Sequence, residues 1–285
     1  MKKIKLLIIG LIMISLSGCF KDDSMDNINI ITSVYPIEYV VNTLYGDHSN
    51  IQSIYPIDSE ATNFKVTDTL LENYSKSDLF IFNGLSKEKE YIKKLNKHNN
   101  NLKIIDGTSN MVYDYKMEEL WLDPGNLLTI ANNIKKGFKE YIKSKYLINE
   151  IEENYDSLKI ALTGLDGKYY STVKKASNLN IIVSNDSFKY LEKYGINIIS
   201  LDSDSTTDKD KLTAEELINN GKCKYIYIGY KEELNNDIKK FIENNNIKTV
   251  ELYTLTNLYG IDTNKTDYIT LMNQNLDNLK LELYN

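Results

Sequence analysis

The sequence predicts an α/β fold with two similar lobes, each built on a parallel sheet, and a cleft between them. Short runs of β-branched and aromatic residues alternate with amphipathic helical stretches along the 285 residues, which is typical of parallel sheets covered by helices on both faces. Four such runs lie on either side of one long helical segment. The predicted strands are Asn29–Val34, Asn50–Tyr55, Asp78–Asn83 and Lys103–Asp106 in the first lobe, and Asn180–Ser184, Asn197–Leu201, Tyr225–Gly229 and Thr249–Leu252 in the second.

Amphipathic stretches fill the intervals between the predicted strands, and we expect them to form the helices that cover the two sheets. They are Tyr39–Leu44, Thr67–Ser75, Lys87–Lys97, Ser187–Lys193, Ala214–Asn219 and Glu232–Asn244.

One continuous amphipathic helix over residues 148–173 is predicted to join the lobes. Apolar residues recur at gaps of three and four from Ile148 to Val173, and a helix of that length would measure roughly 39 Å. Gly164 and Gly167 each weaken it by about 1 kcal/mol relative to alanine, so the sequence leaves open whether the helix breaks there. A preceding helix, Pro124–Lys145, is predicted to begin at Asp123 as its N-cap.

The first residues predict export and lipidation. Three lysines precede an apolar run from Leu6 to Leu16. This is the charge order of a secretory signal, and the run is shorter than the roughly 20 apolar residues that a membrane span needs. The string Leu16–Cys19 resembles the lipobox of bacterial lipoproteins and implies a lipid on Cys19. An uncleaved anchor with a chance cysteine is the alternative.

These features divide the precursor into five segments. Residues 1–18 form the expected signal peptide, and residues 19–27 form a lipidated polar tether. Residues 28–147 form the first lobe, residues 148–173 the connecting helix and residues 174–285 the second lobe. The lipid anchor predicts a position on the extracytoplasmic face of the cell membrane.

Composition excludes several functional classes. The precursor has 34 basic and 40 acidic residues, and losing three lysines with the signal leaves a net charge of −9, which argues against nucleic acid as a partner. The chain has no nucleophile elbow, P-loop or dinucleotide-binding glycine motif, so we predict no enzyme.

The cysteines are Cys19 and Cys223. If Cys19 carries lipid, no intramolecular disulfide is possible, and we expect a monomer stabilised by its core.

Five strings, in order along nearly the whole mature chain, carry a resemblance to a known family. They are Ile31–Pro36, Ser77–Gly84, Leu120–Pro124, Asp186–Gly195 and Tyr268–Leu279. They resemble segments of the zinc- and manganese-binding solute-binding lipoproteins of bacterial ABC importers. The resemblance implies two lobes around a backbone helix, a metal buried between them and an ABC permease as partner.

The same resemblance points to four site positions. Family members usually hold the metal with three histidines and one carboxylate, and neutral imidazole suits zinc and manganese. This chain departs from that set at every position, and its matching residues are Thr62, Glu119, Asn185 and Tyr253. The family implies one zinc or manganese ion. The residues present favour a harder cation such as Ca²⁺ or Mg²⁺, bound weakly and with help from Asp123 or Asp186.

Two of these acids have a second interpretation. Glu119 could be a half-buried acid that pairs with a lysine or a backbone amide, and Asp123 is favoured as a helix cap. The two histidines of the chain, His48 and His98, match no ligand position, and we expect both to be exposed bystanders.

Two functions stay open at this point. The first is an extracytoplasmic solute-binding lipoprotein of a metal-type ABC importer, with its ligand in the cleft and its usual histidines replaced. Polar residues at all four site positions favour this function. The second is a surface lipoprotein (an adhesin, sensor or assembly factor) that keeps the scaffold without metal transport. The 22 tyrosines favour the second, since exposed tyrosine supplies contact area at interfaces.

Overall fold

The computed structural model describes residues 25–56, 64–112, 117–202 and 204–285, with only the backbone of residues 117–119. The predicted signal peptide, Cys19 and Thr62 lie outside the described residues. None of the helices in these ranges combines the length and the apolar character that crossing a membrane requires.

The first lobe contains a parallel four-stranded sheet with the order β2-β1-β3-β4. Ile30 in the central strand pairs with Ile51 on one side and with Leu79 on the other. All side chains of the third strand are buried, as expected where helices cover both faces. The strands are β1 (Ile28–Thr32), β2 (Ser49–Ser53), β3 (Leu79–Phe82) and β4 (Lys103–Asp106).

The second lobe repeats this arrangement with the parallel order β6-β5-β7-β8. Its strands are β5 (Asn180–Val183), β6 (Asn197–Ser200), β7 (Tyr225–Gly229) and β8 (Lys248–Leu252). The predicted fold class is confirmed, and each predicted strand is present with its ends moved by two residues at most.

Helices connect the strands and cover the sheets. The α-helices are α1 (Tyr35–Tyr45), α2 (Asp68–Tyr74), α3 (Tyr91–His98), α4 (Pro124–Tyr141), α5 (Lys145–Val173), α6 (Asp208–Asn219), α7 (Asn236–Asn245) and α8 (Tyr268–Leu283). Short 3₁₀ helices span Gly46–His48, Lys87–Glu90, Met117–Leu122 and Asp186–Tyr194.

Several helix predictions need correction. The helix predicted to begin at Glu232 begins at Asn236, after its N-cap Asn235, and the one predicted to begin at Tyr39 begins at Tyr35. The first four residues of the stretch Lys87–Lys97 form a 3₁₀ helix.

The stretch predicted as Ser187–Lys193 forms a 3₁₀ helix rather than an α-helix. The helix predicted to reach Lys145 ends at Tyr141, because the next residue, Ile142, has an extended backbone. The helix predicted to begin at Ala214 begins six residues earlier, because Thr207 and Asp210 form a reciprocal capping box there.

The connecting helix α5 is continuous over 29 residues, about 44 Å at 1.5 Å per residue. The Ser144 hydroxyl caps it by accepting a hydrogen bond from the backbone N–H of Leu147. In the first lobe, the Asn154 amide donates to the carbonyl of Leu44 at the end of α1. In the second lobe, the Tyr169 hydroxyl donates to the carbonyl of Met272 in α8. One rigid element therefore fixes both lobes.

The helix passes through Gly164 and Gly167 without a break, and an added Cβ at either position would meet no atom within 4 Å. We expect the double replacement by alanine to raise the free energy of unfolding by about 1–2 kcal/mol, because alanine loses less backbone entropy in a helix. Urea denaturation measures the change. Gly137→Ala on α4 is the control and should destabilise, since its Cβ would lie 2.7 Å from the Ile105 side chain. A double variant no more stable than the parent would contradict the prediction.

Candidate functional site

Each sheet has a point at which the strand order reverses, between β1 and β3 in the first lobe and between β5 and β7 in the second. Open α/β sheets bind ligands at the carboxyl ends of the strands at such points. Ser33 and Asn83 follow β1 and β3, and both are buried. The Ser33 hydroxyl has no hydrogen-bond partner among the described residues. The carboxyl edge of the first sheet is therefore polar although it is shielded from solvent.

A cavity of about 350 Å³ lies between the two lobes. Residues of β2 and residues that follow β1 and β2 line it from the first lobe, and the loop after β8 lines it from the second. The carboxyl edges of both sheets therefore meet at one cavity, whose volume lies in the range of small-molecule pockets. Its lining includes Val34, Glu38, Ser53, Tyr55, Leu255 and Thr256.

Glu38 places a carboxyl group at this cavity. It lies in the first turn of α1 and is half-buried. Burial raises the pKa of its carboxyl group, and no hydrogen bond or opposite charge among the described residues offsets that effect. The cavity therefore contains a carboxyl group that no charged side chain among the described residues pairs with.

Asn185, one of the predicted ligands, follows β5 and takes part in a hydrogen-bond network of the second lobe. Its amide nitrogen lies 3.1 Å from Oε1 of Glu232 and 3.2 Å from the Ser184 hydroxyl. Its amide oxygen accepts from the backbone N–H of Ser187 at 3.0 Å. Glu232 also accepts from the Ser184 hydroxyl and from the backbone N–H of Gly229, each at 2.6 Å. Both ends of the Asn185 amide are therefore engaged in holding the carboxyl edge of β5 and β7.

Tyr253, another predicted ligand, lies directly after β8. Its backbone N–H and carbonyl are both bound by the Asn275 side chain, at 2.7 and 2.9 Å. Its ring lies 4.8 Å from that of Tyr230, which follows β7. Burial, with Tyr230 and Glu251 nearby, raises the pKa of the Tyr253 phenol, so at neutral pH it is a neutral hydroxyl group.

The described residues do not fit a zinc ion. Zinc in proteins is held by thiolates, imidazoles and carboxylates, and within the described ranges no three His, Cys, Asp or Glu side chains lie close enough to hold a metal. Asn185 and Tyr253 supply only an engaged amide and a neutral phenol. The side chain of Glu119, like the whole of Thr62, lies outside the described residues, so the structure places two of the four predicted ligands.

Both aspartates that were predicted to help bind the cation already have partners within the protein. Asp186 pairs with Lys189 at 2.9 Å and accepts from the Ser205 hydroxyl. Asp123 caps α4, as predicted, by accepting from the N–H of Gly125 at 2.7 Å. It also pairs with Lys193 at 2.6 Å.

A polar contact at Trp121 holds the lobes together beside the cavity. The buried Trp121 donates from Nε1 to the carbonyl of Thr254, at 3.0 Å. Its own carbonyl accepts from the Tyr268 hydroxyl at 2.7 Å. The Tyr268 ring stacks on Tyr39 of α1 at a centroid distance of 5.5 Å. Because Thr254 precedes the loop Leu255–Leu258, Trp121 positions the second-lobe wall of the cavity.

Lys193 connects three parts of the chain. Its ammonium lies 2.6 Å from Asp123 at the start of α4 and 2.7 Å from Asp166 on the connecting helix. The Tyr194 hydroxyl donates to the same Asp166 carboxylate at 2.7 Å. Burial lowers the pKa of Lys193, but the hydrogen bonds to the two aspartates outweigh that effect and raise it. The ammonium is therefore charged at every physiological pH.

The histidines do not contribute to the cavity. His98 is exposed, as predicted, but His48 is not. Its ring nitrogens lie 2.9 Å from Asp26 and 3.0 Å from Glu150, with 18% of the side chain exposed. Burial alone would lower the pKa of His48, but the two carboxylates raise it. The prediction of an exposed His48 is wrong because Asp26 and Glu150, far away in sequence, fold onto it.

Sequence reasoning missed two carboxylates at the carboxyl edges of the sheets, Glu38 and Glu232. Each follows the carboxyl end of a parallel strand within a few residues: Glu38 after β1 and Glu232 after β7. That position relative to a predicted strand was the available signal. No local pattern marked Lys193, whose partner Asp123 lies 70 residues away.

The fold and the sequence both have known relatives. The zinc-binding lipoprotein AdcA of Streptococcus pneumoniae is 24% identical over 98% of this chain and 61% of its own length, so the chain spans about three-fifths of that relative. The crystal structure of the zinc-bound ZnuA-like domain of AdcA matches with a TM-score of 0.74 and 21% identity, covering 91% of this chain and 100% of that one. The metal-dependent lipoprotein YcdH of Bacillus subtilis matches with a TM-score of 0.75 and 21% identity, covering 90% and 99%.

These structures have the two-lobed fold that the sequence predicted. The sequence model of one family, described as zinc-uptake complex component A, periplasmic (ZnuA), matches residues 30–281. That range includes both sheets, the connecting helix and nearly all of α8. The chain therefore belongs to the ZnuA family of solute-binding transport proteins, as its resemblance implied.

Proposed function

We propose that the chain is the solute-binding lipoprotein of an ABC-type importer and that its cargo is a cation bound in the inter-lobe cleft. One observation supports this most directly: residues from the carboxyl edges of both sheets enclose the same cavity, in a chain that matches a solute-binding family along its length. The Glu38 carboxyl group lines that cavity without an ion-pair partner among the described residues, so a cation can pair with it there.

The first residues support the location and the partners in this proposal. A signal peptide over residues 1–18 and a lipid on Cys19 would hold the protein, as a monomer, on the extracytoplasmic face of the cell membrane. An ABC permease in the same membrane would receive the cargo. The S. pneumoniae relative is itself a lipoprotein by name.

The proposed binding of the cargo differs from that of zinc in the family. AdcA is a zinc-binding protein, but this chain has no histidine at the family's ligand positions, and Asn185 is occupied by Glu232. Oxygen atoms of Thr62, Glu119 and Tyr253 would then contact the cation. Such a set suits Ca²⁺ or Mg²⁺ better than zinc and binds weakly, because Glu119 is its only formal anion.

Metal analysis and titration test this proposal. The chain from residue 20 onward contains the whole described fold, and we would purify it without chelator, analyse bound elements and follow thermal unfolding with Zn²⁺, Mn²⁺, Ca²⁺ or Mg²⁺. A ligand at one hundred times its Kd adds about 2.7 kcal/mol of stability. We expect Ca²⁺ or Mg²⁺ to raise the unfolding temperature more than zinc does.

Glu119→Ala is the decisive variant, with Glu118→Ala in the same 3₁₀ helix as its control. We expect Glu119→Ala to abolish the stabilisation by cations and the control to keep it, with both variants folded. If Glu119→Ala leaves the affinity for the cation unchanged, the cation does not bind at these positions. No bound metal and no stabilisation by any of the four cations would favour a non-metal cargo or a surface lipoprotein that keeps the scaffold without transport.

A further inference from the structure

The inter-lobe cavity combines one carboxylate with aromatic walls. Glu38 lines it together with three tyrosines, Tyr35, Tyr55 and Tyr74. We propose that this cavity binds a small organic ammonium ion, with Glu38 as the counter-charge and the tyrosine rings as walls. The inference rests on the proposed function, because it takes the inter-lobe cleft as the cargo site. It names an organic ammonium ion as the cargo there in place of Ca²⁺ or Mg²⁺.

The charge of the cavity favours a cation. No side chain among the described residues forms an ion pair or hydrogen bond with the Glu38 carboxylate. Glu38 and Asp267, from opposite lobes, both help to raise the pKa of the Tyr35 phenol, after the larger effect of burial. A half-buried, uncompensated carboxylate is stabilised when a cationic ligand enters beside it.

The walls select an organic cation. The face of a tyrosine ring attracts an ammonium group within about 6 Å of its centre. The Lys87 ammonium already lies 5.5 Å from the centre of the Tyr55 ring, so Tyr35 and Tyr74 are the rings that a ligand would use. Val34, Leu255 and Leu258 also line the cavity, and they would shield methyl or methylene groups from water. Charge and apolar surface thus occur side by side, as they do in an alkylammonium ion.

A divalent metal ion fits these walls less well. Ca²⁺ takes six to eight oxygen ligands, and Glu38 is the single carboxylate among the described lining residues. The Tyr55 hydroxyl is already donating to Glu88 at 2.9 Å. Glu38 could also serve only to stabilise α1, because an acid in the first turn of a helix interacts favourably with the helix dipole. That role would not require Glu38 to be half-buried or to line a cavity.

Isothermal titration calorimetry with choline chloride and with putrescine dihydrochloride tests the inference on the chain from residue 20 onward. Dimethylbutanol, the neutral carbon analogue of choline, is the control ligand because it has the shape of choline without the charge. We expect at least one of the two ammonium ligands to bind. We expect the neutral analogue to bind at least about tenfold more weakly than choline if choline is the one that binds.

Variants separate the charge from the rings. Glu38→Gln should weaken binding at least about tenfold, whereas Glu72→Gln, an exposed acid on α2, should leave it unchanged. Tyr35→Phe keeps the ring and should retain most of the affinity, while Tyr35→Leu removes the ring and should lose about tenfold. Thermal unfolding of each variant confirms that it is folded.

These experiments distinguish failure of this inference from failure of the proposed function. No binding of either ammonium ligand, equal affinity for choline and its neutral analogue, or unchanged affinity of Glu38→Gln would overturn the inference. If ammonium ligands fail while the Glu119-dependent metal response is present in the same preparation, the inference falls and the proposed function stands. If both fail, the cleft carries no cationic cargo and both are wrong.

Discussion

Replacing Trp121 by alanine should lower the free energy of unfolding by about 3–5 kcal/mol, the usual cost of truncating a fully buried tryptophan. The side chain is 1% exposed and lies at the junction of the lobes. Its indole N–H also donates a hydrogen bond to the backbone carbonyl of Thr254, a residue that is 7% exposed. Truncation leaves that buried carbonyl without its donor and opens a cavity in the core.

The same replacement should weaken ligand binding, because Thr254 leads into the loop Leu255–Leu258 that walls the inter-lobe cavity. Urea denaturation followed by circular dichroism measures stability, since Trp121 is the only tryptophan and its fluorescence is lost. Trp121→Phe is the control. It keeps an aromatic ring but loses the N–H, and we expect a smaller loss, about 1–3 kcal/mol. Equal stability of Trp121→Ala and the parent would show that this junction does not hold the lobes.

Replacing Lys193 by methionine should lower the free energy of unfolding by about 2 kcal/mol. Exposed ion pairs contribute about 0–1 kcal/mol and breaking a fully buried pair costs about 3–5 kcal/mol. The three side chains lie between these limits, with 29% of Lys193, 15% of Asp123 and 26% of Asp166 exposed. The variant also leaves two carboxylates facing each other where one ammonium held both.

The pH dependence of this effect follows from the raised pKa of Lys193. A base whose pKa is higher in the folded state contributes its full stability below the unfolded pKa, about 10.4, and loses it only as the pH rises through the folded value. The difference between parent and Lys193→Met should therefore be constant from about pH 6 to 9 and shrink above that. Urea denaturation across this range measures it.

Lys189→Met is the matched control, because Lys189 pairs with Asp186 inside the same 3₁₀ helix of the second lobe. We expect it to affect stability less, whereas Lys193→Met loosens the contact between lobes. If both variants lose the same small amount, Lys193 acts as an ordinary surface ion pair and not as a link between the lobes.

The strands and the connecting helix were predictable because their signals are local. Runs such as Leu79–Phe82 and the apolar seam of α5 depend only on neighbouring residues. Helix ends were less predictable where capping decided them. Thr207 and Asp210 begin α6 well before its first buried residue, Ala214, and the apolar pattern alone does not reveal that start.

The candidate site was predictable only in part. The resemblance predicted four site positions, but it could not show what Asn185 contacts. Its partner Glu232 lies 47 residues further along the chain, and the two meet because β5 and β7 are neighbours in the sheet. Glu38 was missed for a similar reason, because the opposite wall of its cavity comes from residues after β8.

The sequence by itself determined the two-lobed α/β class and the helix that joins the lobes, and it predicted a lipid anchor and a site without the family's usual histidines. Only the tertiary structure decided that Asn185 is engaged by Glu232, that Lys193 joins Asp123 to Asp166, and that Glu38 faces a cavity between the lobes. The physical reason is that periodicity and residue identity are local properties. The charge, burial and partners of a side chain are set by residues that only folding brings within a few ångströms of it.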